Sequence, residues 1–164
     1  MHIVTNNEKI DISSEKLLEE LAAKVFKNIK LGDIIFLIGE MGVGKTTFVK
    51  YLVNEFQKQN KLKLTEVTSP TFNLLNEYDI NNVRINHYYL YRIKSSKEID
   101  NLGIFENIYD SITLIEWPQM IEKKPKEKNY TSTIIVDLPH IPGALGKISS
   151  LIGINKGNIK CFKK

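Results

Sequence analysis

Cysteine is nearly missing from this sequence. The single one, Cys161, excludes an internal disulfide framework and any zinc cluster built on thiolates. Long apolar runs are missing too, since none approaches the roughly 18 residues a membrane span needs. The first residues, Met1 to Asn6, lack the basic segment and apolar stretch of a secretory signal. A cytoplasmic protein without membrane contact is therefore expected. Arginine is also scarce: Arg84 and Arg92 are the only two among 23 basic residues. With the abundance of Ile and Asn, that scarcity reads as a general composition bias.

What is present suits one globular domain. The chain has 164 residues, 42% of them hydrophobic and 26% charged, enough to bury a core. The formal charge is +4. Lys147, Lys156, Lys160, Lys163 and Lys164 lie in a tail with no acid after Asp137, so the body is near neutral. Global basicity is then a weak argument for nucleic-acid binding.

Ile10–Ile12 reads as a short strand. Ser13 or Ser14 offers a helix cap, and Leu17, Leu18, Leu21, Val25 and Ile29 recur at helical spacing, which predicts a helix over about 14–29. Ile34–Ile38 is a continuous apolar run, as expected of a strand covered on both faces. A glycine-rich turn follows, then a helix through Thr46–Gln57 with Phe48, Val49, Leu52, Val53 and Phe56 inward. Thr71–Tyr78 and Val83–Tyr91 are strand-like and joined by a hairpin turn. Ser95–Asn101 and Ile104–Ile108 read as short helical pieces, Ser111–Ile115 and Thr131–Leu138 as strands, and Glu122–Lys128 as a polar loop.

The stretch Gly39-Glu40-Met41-Gly42-Val43-Gly44-Lys45-Thr46 fits G-x-x-x-x-G-K-[ST], the P-loop. Its glycines let the backbone curl, and the curled amides with the following helix N-terminus make a positive cradle for phosphate. Residues 40–47 are the expected cradle: Glu40, Met41, Gly42, Val43, Gly44, Lys45, Thr46 and Thr47. Lys45 would reach the β- and γ-phosphates and Thr46 would bind Mg²⁺. A buried strand before and a helix after supply the context the motif requires; the bland alternative is a tight strand–helix turn with a surface lysine. Glu116, at the end of an apolar run, is the candidate second Mg²⁺ partner, against the alternative of a solvent-facing strand end. Trp117 reads equally as core or ligand-facing. Asn155-Lys156-Gly157-Asn158 has Asn where a guanine reader needs Asp, which speaks against GTP. Two arginines leave little for the phosphoryl-holding lid of a small-molecule phosphotransferase, the least favoured reading.

Five segments in order carry a family resemblance: G-E-M-G-V-G-K-T-T-F at 39–48, S-P-T-F at 69–72, H-Y-Y-L-Y-R at 87–92, L-G-I at 102–104 and I-E-W-P at 115–118. Over about residues 10–138 the chain resembles the TsaE (YjeE) family, P-loop ATPases of tRNA threonylcarbamoyladenosine biosynthesis. The resemblance implies an ATP- and Mg²⁺-binding subunit that works with TsaB and TsaD. That complex places a threonylcarbamoyl group on adenosine 37 of ANN-decoding tRNA, which the family protein would meet only through the complex. Carried over by position, Lys45 holds phosphates, Thr46 and Glu116 serve the metal, and Ser69-Pro70-Thr71 is a switch-like loop whose Thr71 orients water or metal. The start of the first helix, near Ser14, lies where such proteins close over adenine. The fold implied is α/β: a mainly parallel P-loop sheet with helices on both faces, an antiparallel hairpin around 71–91, and nucleotide at the carboxyl ends of the strands.

Two departures stand out. The family motif at 87–92 reads H-x-D-L-Y-R, and here Tyr89 replaces the Asp. A phenol cannot replace an anionic acceptor at neutral pH, so the expectation is a protein that binds Mg-ATP but hydrolyses it poorly. Glu77, on the preceding run, is the nearby carboxylate that would compensate. Tyr91 is expected in the core, and Arg92 toward nucleotide or partner. The second departure is the tail. Residues from Asp137 onward are similar to the first strand–loop–helix of an ACT domain, an amino-acid-binding module, but are too few for a whole one. The favoured expectation divides the chain into a P-loop domain, 1–138, and a basic tail, 139–164, whose helix packs Leu145, Ile148, Leu151 and Ile152 on that domain.

Overall fold

A computed structural model describes residues 4–106, 108–121, 132–137 and 145–152. The elements run β1 (Val4–Asp11), α1 (Glu15–Phe26), β2 (Asp33–Ile38), α2 (Lys45–Gln59), β3 (Leu75–Ile80), β4 (Val83–Tyr89), α3 (Ser96–Asn101), β5 (Ser111–Glu116), β6 (Ser132–Asp137) and β7 (Leu145–Ile152). Short 3-10 turns at Ile108–Asp110 and Pro118–Met120 flank β5. The expected helical piece at 104–108 reduces to turns and the first of these.

The seven strands among the described residues form one sheet, ordered β1-β7-β6-β2-β5-β4-β3. The middle four, β6, β2, β5 and β4, are parallel, as an α/β fold with crossover connections requires. The expected hairpin exists as antiparallel β3–β4, starting at Leu75 rather than Thr71. A second antiparallel region, unforeseen, closes the other edge, where β7 pairs with both β1 and β6.

This corrects the expected tail helix: residues 145–152 form a strand. Their apolar spacing suits a helix, but Gly146 and two serines weaken one locally. As a strand, the segment also satisfies the facing edges of β1 and β6 in register, from Val4–Ile152 to Asp11–Leu145 and from Thr133–Leu151 to Asp137–Lys147. The P-loop sheet thus extends past residue 138. The loop at 122–128 and the tail beyond 152 lie outside the described residues.

Alternate residues of β2 enter different clusters because strand side chains alternate faces. Ile35 and Leu37 pack with Leu18, Leu21 and Val25 of α1 and Phe48, Leu52 and Val53 of α2. Ile34 and Phe36 pack on the opposite side with Ile99 of α3, Ile104, Ile108 and Ile121. Among the described residues helical cover is therefore unequal, with two long helices on one face and a short one with turns on the other. Among the described residues, no helix is long and apolar enough to cross a membrane.

Candidate functional site

The site begins where β2 ends. Gly44 adopts φ +100°, a conformation that L residues avoid, and a Cβ there would stand 3.3 Å from Leu18 Cδ2 of α1. Close approach of α1 and a left-handed turn both call for glycine. Gly44 is also the N-cap of α2 and gives no side-chain cap bond, and the first turn of α2 carries no acid. The first amides of the helix are thereby left for an anion.

Lys45 follows and is only 4% exposed. Its Nζ donates to the carbonyls of Gly39 at 2.8 Å and Glu40 at 2.6 Å. It also lies 4.2 Å from the Trp117 ring centroid. Burial pushes the Lys45 ammonium below its ordinary pKa, and Glu116 partly counters that.

Glu116 reaches this place through strand register. It ends β5, paired with Leu37 of β2 on one side and Tyr89 of β4 on the other. Lateral partners share a sheet face, here the face that carries α2. Thr46 Oγ1 donates to Glu116 Oε1 at 2.7 Å. His87 Nε2 meets the same oxygen at 2.9 Å. Glu116 is 2% exposed and His87 0%.

A cavity of about 320 Å³ opens at this end of the strands, lined by Met41, Gly42, Gly44, Lys45, Thr46, Thr47, Ser69, Thr71, Tyr89, Glu116 and Trp117. The structure thus brings Lys45, Thr46 and Thr47 at the start of α2 together with Thr71 of the loop before β3 and Glu116 at the end of β5. Thr71 Oγ1 donates to Ser69 Oγ at 2.8 Å. Glu40 contributes its carbonyl to Lys45, while Val43 turns into the α1–α2 cluster. Ser14 does not line the cavity; its hydroxyl caps α1 by accepting from Leu17 N at 3.3 Å.

Tyr89 lines the cavity wall. Burial first, then neighbouring Glu116, pushes its phenol above the ordinary value, so it is neutral at pH 7. Glu77 does not stand in for the missing carboxylate. It pairs with Asn86 and lines a separate groove with Asp79 and Asp110 at the other end of β4. Tyr91 is 54% exposed rather than core, with its ring 4.8 Å from that of Trp117. Arg92 lies over Phe72, 5.0 Å from the ring. Trp117, open between two readings in the sequence, stands beside Lys45. The His87–Glu116 contact was the functional pairing that sequence reasoning missed; its only signal was the H-Y-Y-L-Y-R motif.

The donor set suits a hard cation: a hydroxyl and a carboxylate held 2.7 Å apart beside a phosphate-type cradle. Among the described residues no group of three or more His, Cys, Asp or Glu could hold a metal by itself.

Residues 12–139 match the family described as "Threonylcarbamoyl adenosine biosynthesis protein TsaE". The chain belongs to the TsaE family. It is 40% identical over 111 residues to a Rickettsia conorii protein named tRNA threonylcarbamoyladenosine biosynthesis protein TsaE, covering 68% of this chain and 61% of that one. The chain thus spans about three fifths of the length of that relative. A Borreliella burgdorferi protein of the same name is 35% identical over 127 residues, covering 76% and 88%. A crystal structure of Bacillus subtilis YdiB superposes with a TM-score of 0.63 at 21% identity, covering 93% of this chain and 90% of that one, which shows a shared fold. The TsaE match includes β2, the P-loop, β4 and β5, the parts that build the cavity, and stops before β7.

Proposed function

We propose that this TsaE-family chain binds Mg-ATP in the P-loop cavity and hydrolyses it as an accessory subunit of tRNA threonylcarbamoyladenosine synthesis. It would act in the cytoplasm with TsaB and TsaD on adenosine 37 of ANN-decoding tRNA. The observation that carries the reading is the 2.7 Å bond from Thr46 to Glu116 across 70 positions, beside a buried Lys45.

Bound Mg²⁺ would supply charge neutralisation at the phosphates, with Thr46 and Glu116 as its protein partners. The chain's own residues do the rest. Lys45 exchanges two carbonyl acceptors for phosphate oxygens, a stronger, charge-matched contact. The amides at the start of α2 receive the phosphate oxygens. Thr71 offers a hydroxyl from the facing loop, and the start of α1 near Ser14 flanks the loop through Leu18. Trp117 lines the cavity, and the Tyr91 ring meets it at 4.8 Å, tilted by 54°.

Tyr89 favours a second reading, a nucleotide-dependent binding subunit with little turnover. It lies in the cavity wall as a neutral phenol where the family motif has a carboxylate, and Glu77 is elsewhere. The test is Mg²⁺-dependent ATP hydrolysis with the TsaB–TsaD pair, beside a Lys45→Ala control. Turnover that vanishes in the control supports the ATPase. ATP binding without turnover selects the second reading, and no ATP binding refutes both.

A further inference from the structure

Glu116 is held by more than the cation site requires. Its Oε1 takes two contacts, from Thr46 Oγ1 at 2.7 Å and His87 Nε2 at 2.9 Å. His87 is fully buried and does not line the cavity, so it touches no nucleotide. Its Nδ1 is buried without a partner, which leaves Glu116 as the ring's polar partner among the described residues. A carboxylate oxygen accepts, so Nε2 is the ring nitrogen placed to donate to Glu116. The placement follows from β4: His87 and Tyr89 project from the same face, one register step apart beside Leu114 and Glu116.

We infer that His87 is a positioning residue for the cation site, pinning Glu116 by Oε1 so that Oε2 is the oxygen left for a divalent cation arriving with nucleotide. This rests on the nucleotide reading above. A ring N–H in this place fixes the rotamer of a buried carboxylate, as outer partners of metal ligands do elsewhere.

The test uses His87→Leu, which fills space without donating, and His87→Gln, whose amide restores a donor at similar reach. Trp117 is the sole tryptophan and lies against Lys45, so its fluorescence should report nucleotide arrival. ATP is titrated in chelator, then Mg²⁺ is titrated into ATP-saturated protein. His87→Leu should bind ATP in chelator within about threefold of wild type but need about 10–100-fold more Mg²⁺ at the midpoint. His87→Gln should recover most of that loss. A wild-type Mg²⁺ midpoint in His87→Leu overturns the inference, and so does a His87→Gln as impaired as His87→Leu. Imidazole nitrogen NMR of the unmutated protein gives a check independent of folding. An Nε2 that carries a proton, with a shift that moves when Mg²⁺ joins ATP, is expected; an Nε2 without a proton or an unmoved shift overturns it. Failure of the wild-type protein to bind ATP would overturn the nucleotide reading as well, whereas the other failures leave it standing.

Discussion

Two P-loop glycines separate two physical costs. Gly42 has φ +83° with nothing within 4 Å of a built Cβ, and Gly44 has φ +100° with Leu18 Cδ2 at 3.3 Å. Gly42→Ala therefore pays backbone strain alone, on the order of 1–2 kcal/mol. Gly44→Ala adds a contact tighter than ordinary packing, and Leu18 is 6% exposed within the α1–α2 core, so it has little room to retreat. Alanine is also a poorer N-cap than glycine. We expect a total of about 2–3 kcal/mol for Gly44→Ala, read by urea unfolding. In a domain of this size each kcal/mol lowers the midpoint temperature by roughly 2–4 °C. A double-mutant cycle with Leu18→Val, which removes the offending methyl, should return about 0.5–1 kcal/mol of favourable coupling. Gly44→Ala costing no more than Gly42→Ala, together with zero coupling, would refute the claim that packing of α1 demands this glycine. A cost-free Gly42→Ala would show instead that the loop is not held at its left-handed φ.

Lys45→Met should leave stability within about 1 kcal/mol, because burial of the ammonium offsets its two carbonyl bonds; the same change should weaken ATP binding about 10–100-fold by calorimetry, through loss of a charged contact worth about 1.5–3 kcal/mol. Tyr89→Asp should raise ATP turnover by about 10²-fold or more if a carboxylate is what the cavity lacks; wild-type turnover equal to the mutant's would sink that idea. The Tyr51 hydroxyl donates to Glu15, linking α2 to α1, and its pKa is pushed up to about 12, chiefly by that bond. A raised folded value means this contribution is intact below pH 10 and is lost as pH rises through about 12. Tyr51→Phe should then show a shallower loss of stability between pH 10 and 12 than wild type, followed by denaturant titration across that range.

The cradle was legible because it is local. Gly39 to Thr46 carry their own turn, and the apolar run at 34–38 and the periodic helix after it lie within about twenty residues. Glu116 was legible as a strand-end acid after Ile112–Ile115. What no local pattern could supply was its partner set. Thr46, His87 and Glu116 meet only because β5 lies between β2 and β4 in a fixed register, and register is a long-range property. The same holds at the other edge. The apolar spacing of Leu145, Ile148, Leu151 and Ile152 is compatible with helix, and only the open edges of β1 and β6 make it a strand. Tyr91 misled for a related reason. Its motif neighbours Tyr89 and Leu90 are buried, but β4 ends at Tyr89, so Tyr91 leaves the sheet and faces solvent beside Trp117.

The register also bears on what the departure at residue 89 can do. Tyr89 is the lateral partner of Glu116, so a carboxylate there would face a second carboxylate across one strand spacing. Two such acids would be favourable only with a cation between them. The phenol removes that repulsion and leaves Glu116 beside the Thr46 hydroxyl, the His87 ring and a neutral Tyr89, with the Lys45 charge nearby. Tyr89→Asp should therefore destabilise the protein in chelator and regain stability on adding Mg-ATP, by more than wild type regains. Thermal midpoints under the two conditions decide it. An equal gain in both proteins would mean that residue 89 does not share a cation with Glu116, and the low-turnover reading would then lose its physical basis.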